Sequence, residues 1–168
     1  MATMQFFSGF CLRGESELFS SFLTNSEYEV AGFSLGAIKA YEYCLNTTKR
    51  VDTLTLLSPA FFLDKDEKFK RLQLLHFKKN KDKYIENFLT NASYPCKNHL
   101  KNYFSEGSYE ELELLLNYKW DERLKDINLR VYLGAEDKII NTKEANDFFK
   151  NFATTYYLKE KGHTLCKL

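Results

Sequence analysis

Glu29-Val30-Ala31-Gly32-Phe33-Ser34-Leu35-Gly36-Ala37, "EVAGFSLGA", decides how the rest of the chain is read. A short β-type run stops at Phe33 and a helical pattern starts at Leu35, so the Gly-x-Ser-x-Gly pentapeptide lies in the strand-to-helix context of a nucleophile elbow. So abrupt a turn strains the central serine, and Gly32 and Gly36 carry no Cβ to collide with the neighbouring strand or the new helix. Ser34 Oγ is then expected to project from the sheet edge. The N-terminus of the helix behind it favours developing negative charge.

Outward from the elbow, Glu27 to Phe33 is the strand that feeds it and Leu35 to Asn46 the helix that leaves it. Val51 to Ser58, "VDTLTLLS", reads as a buried strand ended by Pro59. Strand, helix and strand in this succession make a βαβ unit, which predicts a mostly parallel sheet with helices on its faces. Upstream, Met4 to Phe10, "MQFFSGF", is a short apolar strand ending in Ser8-Gly9. Glu15 to Leu23 follows with the apolar spacing of a helix.

Downstream, Ala60 to Lys119 lacks strand patterns. It carries four amphipathic helical ones, at Lys65 to Lys79, Lys81 to Leu89, Lys97 to Phe104 and Tyr109 to Tyr118, with breaks at Thr90-Asn91 and Ser105 to Ser108. This insertion, residues 60–119, is expected to be a helical lid over the end of the sheet. Strand pattern resumes at Asn128 to Leu133. A helix at Thr142 to Phe152 and a last strand at Thr154 to Leu158 complete one domain spanning residues 1–168.

A chain of 168 residues, 44% hydrophobic and 28% charged, suits one globular domain with a single core. Its net charge of +1 gives no general attraction to nucleic acid. No stretch has the make-up of a signal peptide or the length of a membrane span, so a cytoplasmic protein is expected. Cys11, Cys44, Cys96 and Cys166 form no C-x-x-C pair, and with three histidines in the chain a zinc site is disfavoured. Reduced structural thiols are therefore expected, with Cys11, close to the candidate site, read as buried and inert. Neither a metal nor a cofactor is expected.

A serine hydroxyl needs a base, and the base needs a carboxylate to fix its tautomer. His76 and His99 fall in the helical insertion, where structural roles suit them. His163 follows the last strand in a Gly-His loop, at the edge to which Ser34 points, because ligands gather at the carboxyl ends of parallel strands. The same rule selects Asp137 after "NLRVYLGAED", with its neighbour Glu136 as the rival. The oxyanion that forms on attack needs preorganised donors, for which the amides of Phe10 and Leu35 are the candidates.

These residues together resemble the α/β-hydrolase superfamily over essentially the whole chain, in the order nucleophile, acid, base that the superfamily uses. "FFSGF" looks like its oxyanion strand and loop, "GFSLG" its elbow, "GAEDKI" its acid loop and "KGHTL" its histidine loop. Within the superfamily the chain looks most like a short form of the pimeloyl-acyl-carrier-protein methyl ester esterases of biotin synthesis. The resemblance implies that Ser34 forms an acyl-enzyme, methanol leaves and water releases the pimeloyl-carrier. Ser8 stands where the family usually has histidine. The strands that usually precede the oxyanion strand are missing, and Leu23 to Glu27 leaves no room for the usual strand before the elbow strand. A trimmed α/β-hydrolase sheet of about five strands is expected.

The implied partner is an acyl carrier protein, which is acidic. Between Lys65 and Lys83 eight basic residues face three acidic ones. Lys65, Lys68, Lys70, Arg71, Lys78 and Lys79 are the docking candidates, and a solvated helix face is the alternative for them. The other functional readings are a general short-chain esterase or thioesterase and a non-catalytic acyl- or protein-binding module of the same fold.

Overall fold

The computed structural model describes residues 3–168. Five strands, β1 (Gln5–Phe7), β2 (Glu29–Phe33), β3 (Thr53–Leu57), β4 (Asn128–Gly134) and β5 (Thr154–Leu158), form one sheet in the order of the sequence, every pair parallel. The carboxyl ends of all five strands therefore lie along one edge, where their loops gather. β2 is buried at every position and β3 at four of five, as central strands covered on both faces should be.

Helices cover the two faces unequally. Phe7 packs on Tyr43 of α1 (Leu35–Asn46), with ring centroids 5.7 Å apart, whereas its neighbour Phe6 turns to the other face and meets Phe19 of a 3-10 helix, Glu15–Phe22, at 6.2 Å. Alternation along a strand sends adjacent side chains to opposite sides. The expected helix at Glu15 to Leu23 is thus present in 3-10 form, and helices lie on both faces as expected.

Between β3 and β4 come α2 (Glu67–Lys79), α3 (Lys81–Ser93), a 3-10 turn at Leu100–Tyr103 and α4 (Tyr109–Asn117). Each of these α-helices begins on a side-chain cap. Asp66 accepts from the Phe69 amide at 2.8 Å and Asn80 from Lys83 at 3.1 Å, while Ser108 and Glu111 form a reciprocal capping box. The break expected at Thr90-Asn91 is absent, because α3 continues through both residues to Ser93 and buries Leu89 and Ala92. The Lys97 to Phe104 helix shrinks to the one 3-10 turn. α5 (Thr142–Phe149) ends before Phe152.

The two ends of the insertion are clasped together at its base. Trp120 Nε1–H donates to the Ala60 carbonyl at 2.8 Å, and Tyr41 Oη–H of α1 donates to the Asp121 carbonyl at 2.8 Å. Ala60 N–H in turn donates to the Ser34 carbonyl at 3.1 Å, which fastens the root of the insertion to the elbow. Among the described residues no helix is long and apolar enough to cross a membrane.

Backbones also meet closely at Gly36, where a Cβ would stand 1.9 Å from the Phe7 carbonyl oxygen. β1 and the start of α1 touch through backbone, and nothing flexible can yield. Gly36→Ala should therefore lower unfolding stability in urea by at least the ~1–3 kcal/mol typical of overpacking. Ser108→Ala, which removes one cap, should cost about 1 kcal/mol in the same assay.

Candidate active site

Ser34 sits between β2 and α1 with φ 56° and ψ −115°, a conformation that a non-glycine residue adopts only when its surroundings enforce it. The enforcement is visible. Ser34 N–H donates to the Leu57 carbonyl at 3.0 Å, and its own carbonyl accepts from Ala37 and Ala60 at 3.1 Å each. The side chain is thereby pushed out at the carboxyl edge of the sheet.

The structure brings Asp137 and His163 to the same place. Ser34 Oγ lies 3.1 Å from His163 Nε2, and His163 Nδ1 lies 2.5 Å from Asp137 Oδ2. With Nδ1–H donating its hydrogen bond to the carboxylate, Nε2 is left as the acceptor for the serine hydroxyl. Asp137 Oδ1 is held by the amides of Ile139 and Ile140 at 2.7 and 3.0 Å. Glu136, the rival carboxylate, is exposed. His76 is also exposed and His99 half-buried; both stand in the insertion, the latter against the Lys97 carbonyl.

The loop bearing His163 is fixed from three sides. Ser58, just past β3 with φ 45°, donates its hydroxyl to the His163 carbonyl at 2.5 Å. The Phe33 ring packs on the imidazole at 5.1 Å between centroids. Gly162 lies so close to the chain after α3 that a Cβ there would meet the Tyr94 carbonyl oxygen at 1.8 Å.

Phe10 and Leu35, the expected oxyanion donors, are fully buried. Leu35 opens α1, and the amides of both residues donate to no described residue. The loop before Phe10 lies directly on α1, as the Gly36 contact with Phe7 and Ser8 shows. Ahead of Phe10, Gly9 N–H donates to Glu15 Oε1 at 2.8 Å. Glu15 is wholly buried, and burial pushes its carboxyl pKa up against the opposing pull of the Gly9 amide.

Neither Glu15 nor Ser58 stands out in the sequence. A glutamate at a helix start reads as a solvated first-turn charge, and a serine before proline reads as a strand end.

A cavity of about 310 Å³ opens among the cap helices and the acid loop, lined by Phe62, Phe69, Phe88 and Leu116 with Lys138 and Ile139, the two residues after Asp137. Ser34 and His163 themselves are 2% and 0% exposed. On the outside of the cap, Lys68, Arg71, Lys78 and Lys79 are exposed and form no ion pair with a described residue. Lys65 and Lys70 are partly buried and lie 3.6 Å from Asp64 and 3.9 Å from Glu67. Leu72 and Leu75, exposed on the same helix, add an apolar strip that charge counting passes over.

The expectation of four reduced thiols is corrected for one pair. Cys96, after α3, and Cys166, three residues past His163, form a disulfide with Cα atoms 6.4 Å apart. Seventy residues of sequence separation gave no hint of the pairing. Cys11 and Cys44 are free and buried, and burial lifts both thiols to about 12.

The architecture is that of the α/β-hydrolase fold. The chain is similar to BioG from Haemophilus influenzae, with a TM-score of 0.63 and 14% identity over 96% of this chain and 88% of that one. It is similar to MenH from S. aureus (TM-score 0.62, 12% identity, 96% and 86%) and to Est816, an N-acyl homoserine lactone degrading enzyme (TM-score 0.69, 15% identity, 96% and 86%). No protein-family model matches the sequence, and no curated protein matches it.

With both free thiols raised so far, the thiolate fraction at pH 8 is on the order of 10⁻⁴. Iodoacetamide should leave Cys11 and Cys44 unmodified in the native protein at pH 8 and alkylate both in urea, as read by peptide mass.

Proposed function

We propose that the protein is a serine carboxylesterase that cleaves the methyl ester of a pimeloyl chain borne by an acyl carrier protein, as the sequence resemblance implies. The observation that carries the hydrolytic reading is the unbroken hydrogen-bonded line from Ser34 through His163 to Asp137. The fold shared with BioG and with esterases among the solved structures supports the hydrolytic reading, and the choice of substrate rests on the sequence resemblance.

In this reading His163 Nε2 takes the Ser34 proton as Oγ attacks the ester carbonyl, and Asp137 stabilises the imidazolium. The amides of Phe10 and Leu35 meet the oxyanion. The imidazolium returns its proton to the methoxide, methanol leaves, and a water activated by the same histidine hydrolyses the acyl-enzyme. The acyl chain extends into the cavity beside Lys138 and Ile139. Because the nucleophile is sealed from solvent, segment 60–119 acts as a lid that shifts to admit the ester.

The outer face of α2 receives the carrier. Lys68, Arg71, Lys78 and Lys79 attract its acidic surface, Leu72 and Leu75 give it an apolar seat, and Lys65 and Lys70 contribute less because each lies near a carboxylate. The protein is expected to work in the cytoplasm, without a metal or cofactor.

Incubation with methyl-pimeloyl carrier protein should release methanol and leave the pimeloyl-carrier intact by mass. Ser34→Ala should lose on the order of 10⁴–10⁶ in kcat. Release of the free carrier thiol instead assigns a thioesterase, and an unreactive Ser34 toward a fluorophosphonate assigns a binding module. Charge reversal at Lys68 and Arg71 should raise KM several-fold for the carrier-bound ester only, with an effect that shrinks as salt is added.

A further inference from the structure

We propose that Glu15 is a positioning residue that aims the Phe10 amide at the oxyanion. The inference rests on the esterase reading above and names a part of the same site.

Gly9 is the weak point of the oxyanion loop, because a glycine has the widest choice of backbone conformations. It is pinned on both sides. Its N–H donates to Glu15 Oε1 at 2.8 Å in a buried bond, and its carbonyl accepts from Leu12 N–H at 3.2 Å. The Gly9 carbonyl and the Phe10 N–H belong to one planar peptide, in which the two point in opposite directions. Holding the carbonyl toward Leu12 therefore turns the Phe10 N–H the other way, where no described group accepts it. Glu15 keeps this plane from swinging about the Gly9 bonds.

The far side of the loop is held by the insertion. Arg13 N–H donates to the Tyr103 carbonyl at 2.8 Å, and Ser105 N–H to the Cys11 carbonyl at 2.9 Å. Those bonds fix the loop beyond Phe10, while Glu15 alone bonds the Gly9 amide ahead of it. A carboxyl is an expensive group to enclose. Glu15 is 0% exposed, and its Oε2 has no partner among the described residues. Leucine fills similar space with no polar atom to bury, so packing does not account for the carboxyl.

The test compares wild type, Glu15→Gln, Glu15→Leu and Glu15→Asp in the full chain. Turnover of p-nitrophenyl butyrate and inhibition by a simple alkylboronic acid are measured, since the tetrahedral boronate places an oxygen where the oxyanion forms. Losing a whole oxyanion donor costs on the order of 10²–10³ in turnover. A misaimed one should cost about 10- to 100-fold, so Glu15→Leu is expected to lower kcat by that factor, weaken boronate binding in parallel and leave KM within about twofold. Glu15→Gln keeps an acceptor for Gly9 and should retain most of the activity. Glu15→Asp withdraws the acceptor by one methylene, which should reproduce the kcat loss, and it decides the matter if Glu15→Leu does not fold.

An active wild type with near-wild-type kcat in the leucine or aspartate variant overturns this proposal alone. So does a glutamine variant as impaired as the leucine one. A wild type inert toward both the ester and the boronate overturns the esterase reading and this proposal with it.

Discussion

The contact on which this molecule depends most is between backbones. At Gly36 the first turn of α1 rests on the carbonyls of Phe7 and Ser8 with no side chain between them. That approach sets the distance from the elbow to the loop carrying Phe10, and it forces the sharp turn that leaves Ser34 at positive φ. A serine in that state needs its neighbours to hold it, and three backbone hydrogen bonds do so. The bond from Ala60 ties the root of the cap to the same residue. The elbow is therefore where strand, helix, the loop carrying Phe10 and the helical insertion all meet.

Much of this was legible in the sequence because it rests on local rules. Gly-x-Ser-x-Gly between a strand and a helix announces the turn, and the carboxyl-edge rule selects the loops of Asp137 and His163 from a chain with few histidines. Periodicity also placed the helix starts at Lys81, Tyr109 and Thr142, and in the structure Asp66, Asn80, Ser108 and Asn141 each accept an amide from the first turn of the helix they precede. What stayed hidden depends on tertiary placement. Glu15 has the look of a solvated charge, and only the fold shows that it is enclosed. Thr90 and Asn91 look like a helix stop, but the burial of Leu89 and Ala92 outweighs their weak propensity.

The basic run shows the same limit from another side. Counting charge from Lys65 to Lys83 treats every lysine alike, whereas the structure separates residues already near a carboxylate from those that are not. It also puts Leu72 and Leu75 among the unpaired ones, a mixture that charge alone does not reveal. The trimming of the sheet has its own cost. The face opposite α1 is covered by a single 3-10 helix, and toward β5 it ends in a flat stack of Tyr132 on Tyr156, centroids 4.5 Å apart, with Tyr156 still 37% exposed.

The close fit at Gly162 bears on how such a protein can be rebuilt. The strand of chain leaving α3 and the loop holding the imidazole share a seam one carbonyl wide, and Cys96 and Cys166 are stitched across it. Hydrolase caps are often imagined as interchangeable modules set on a constant base. Here a graft that replaced residues 60–119 without the segment around Cys166 would remove one half of the contact that holds the His163 loop, so the two segments have to be exchanged together although the bridged cysteines lie 70 residues apart in sequence.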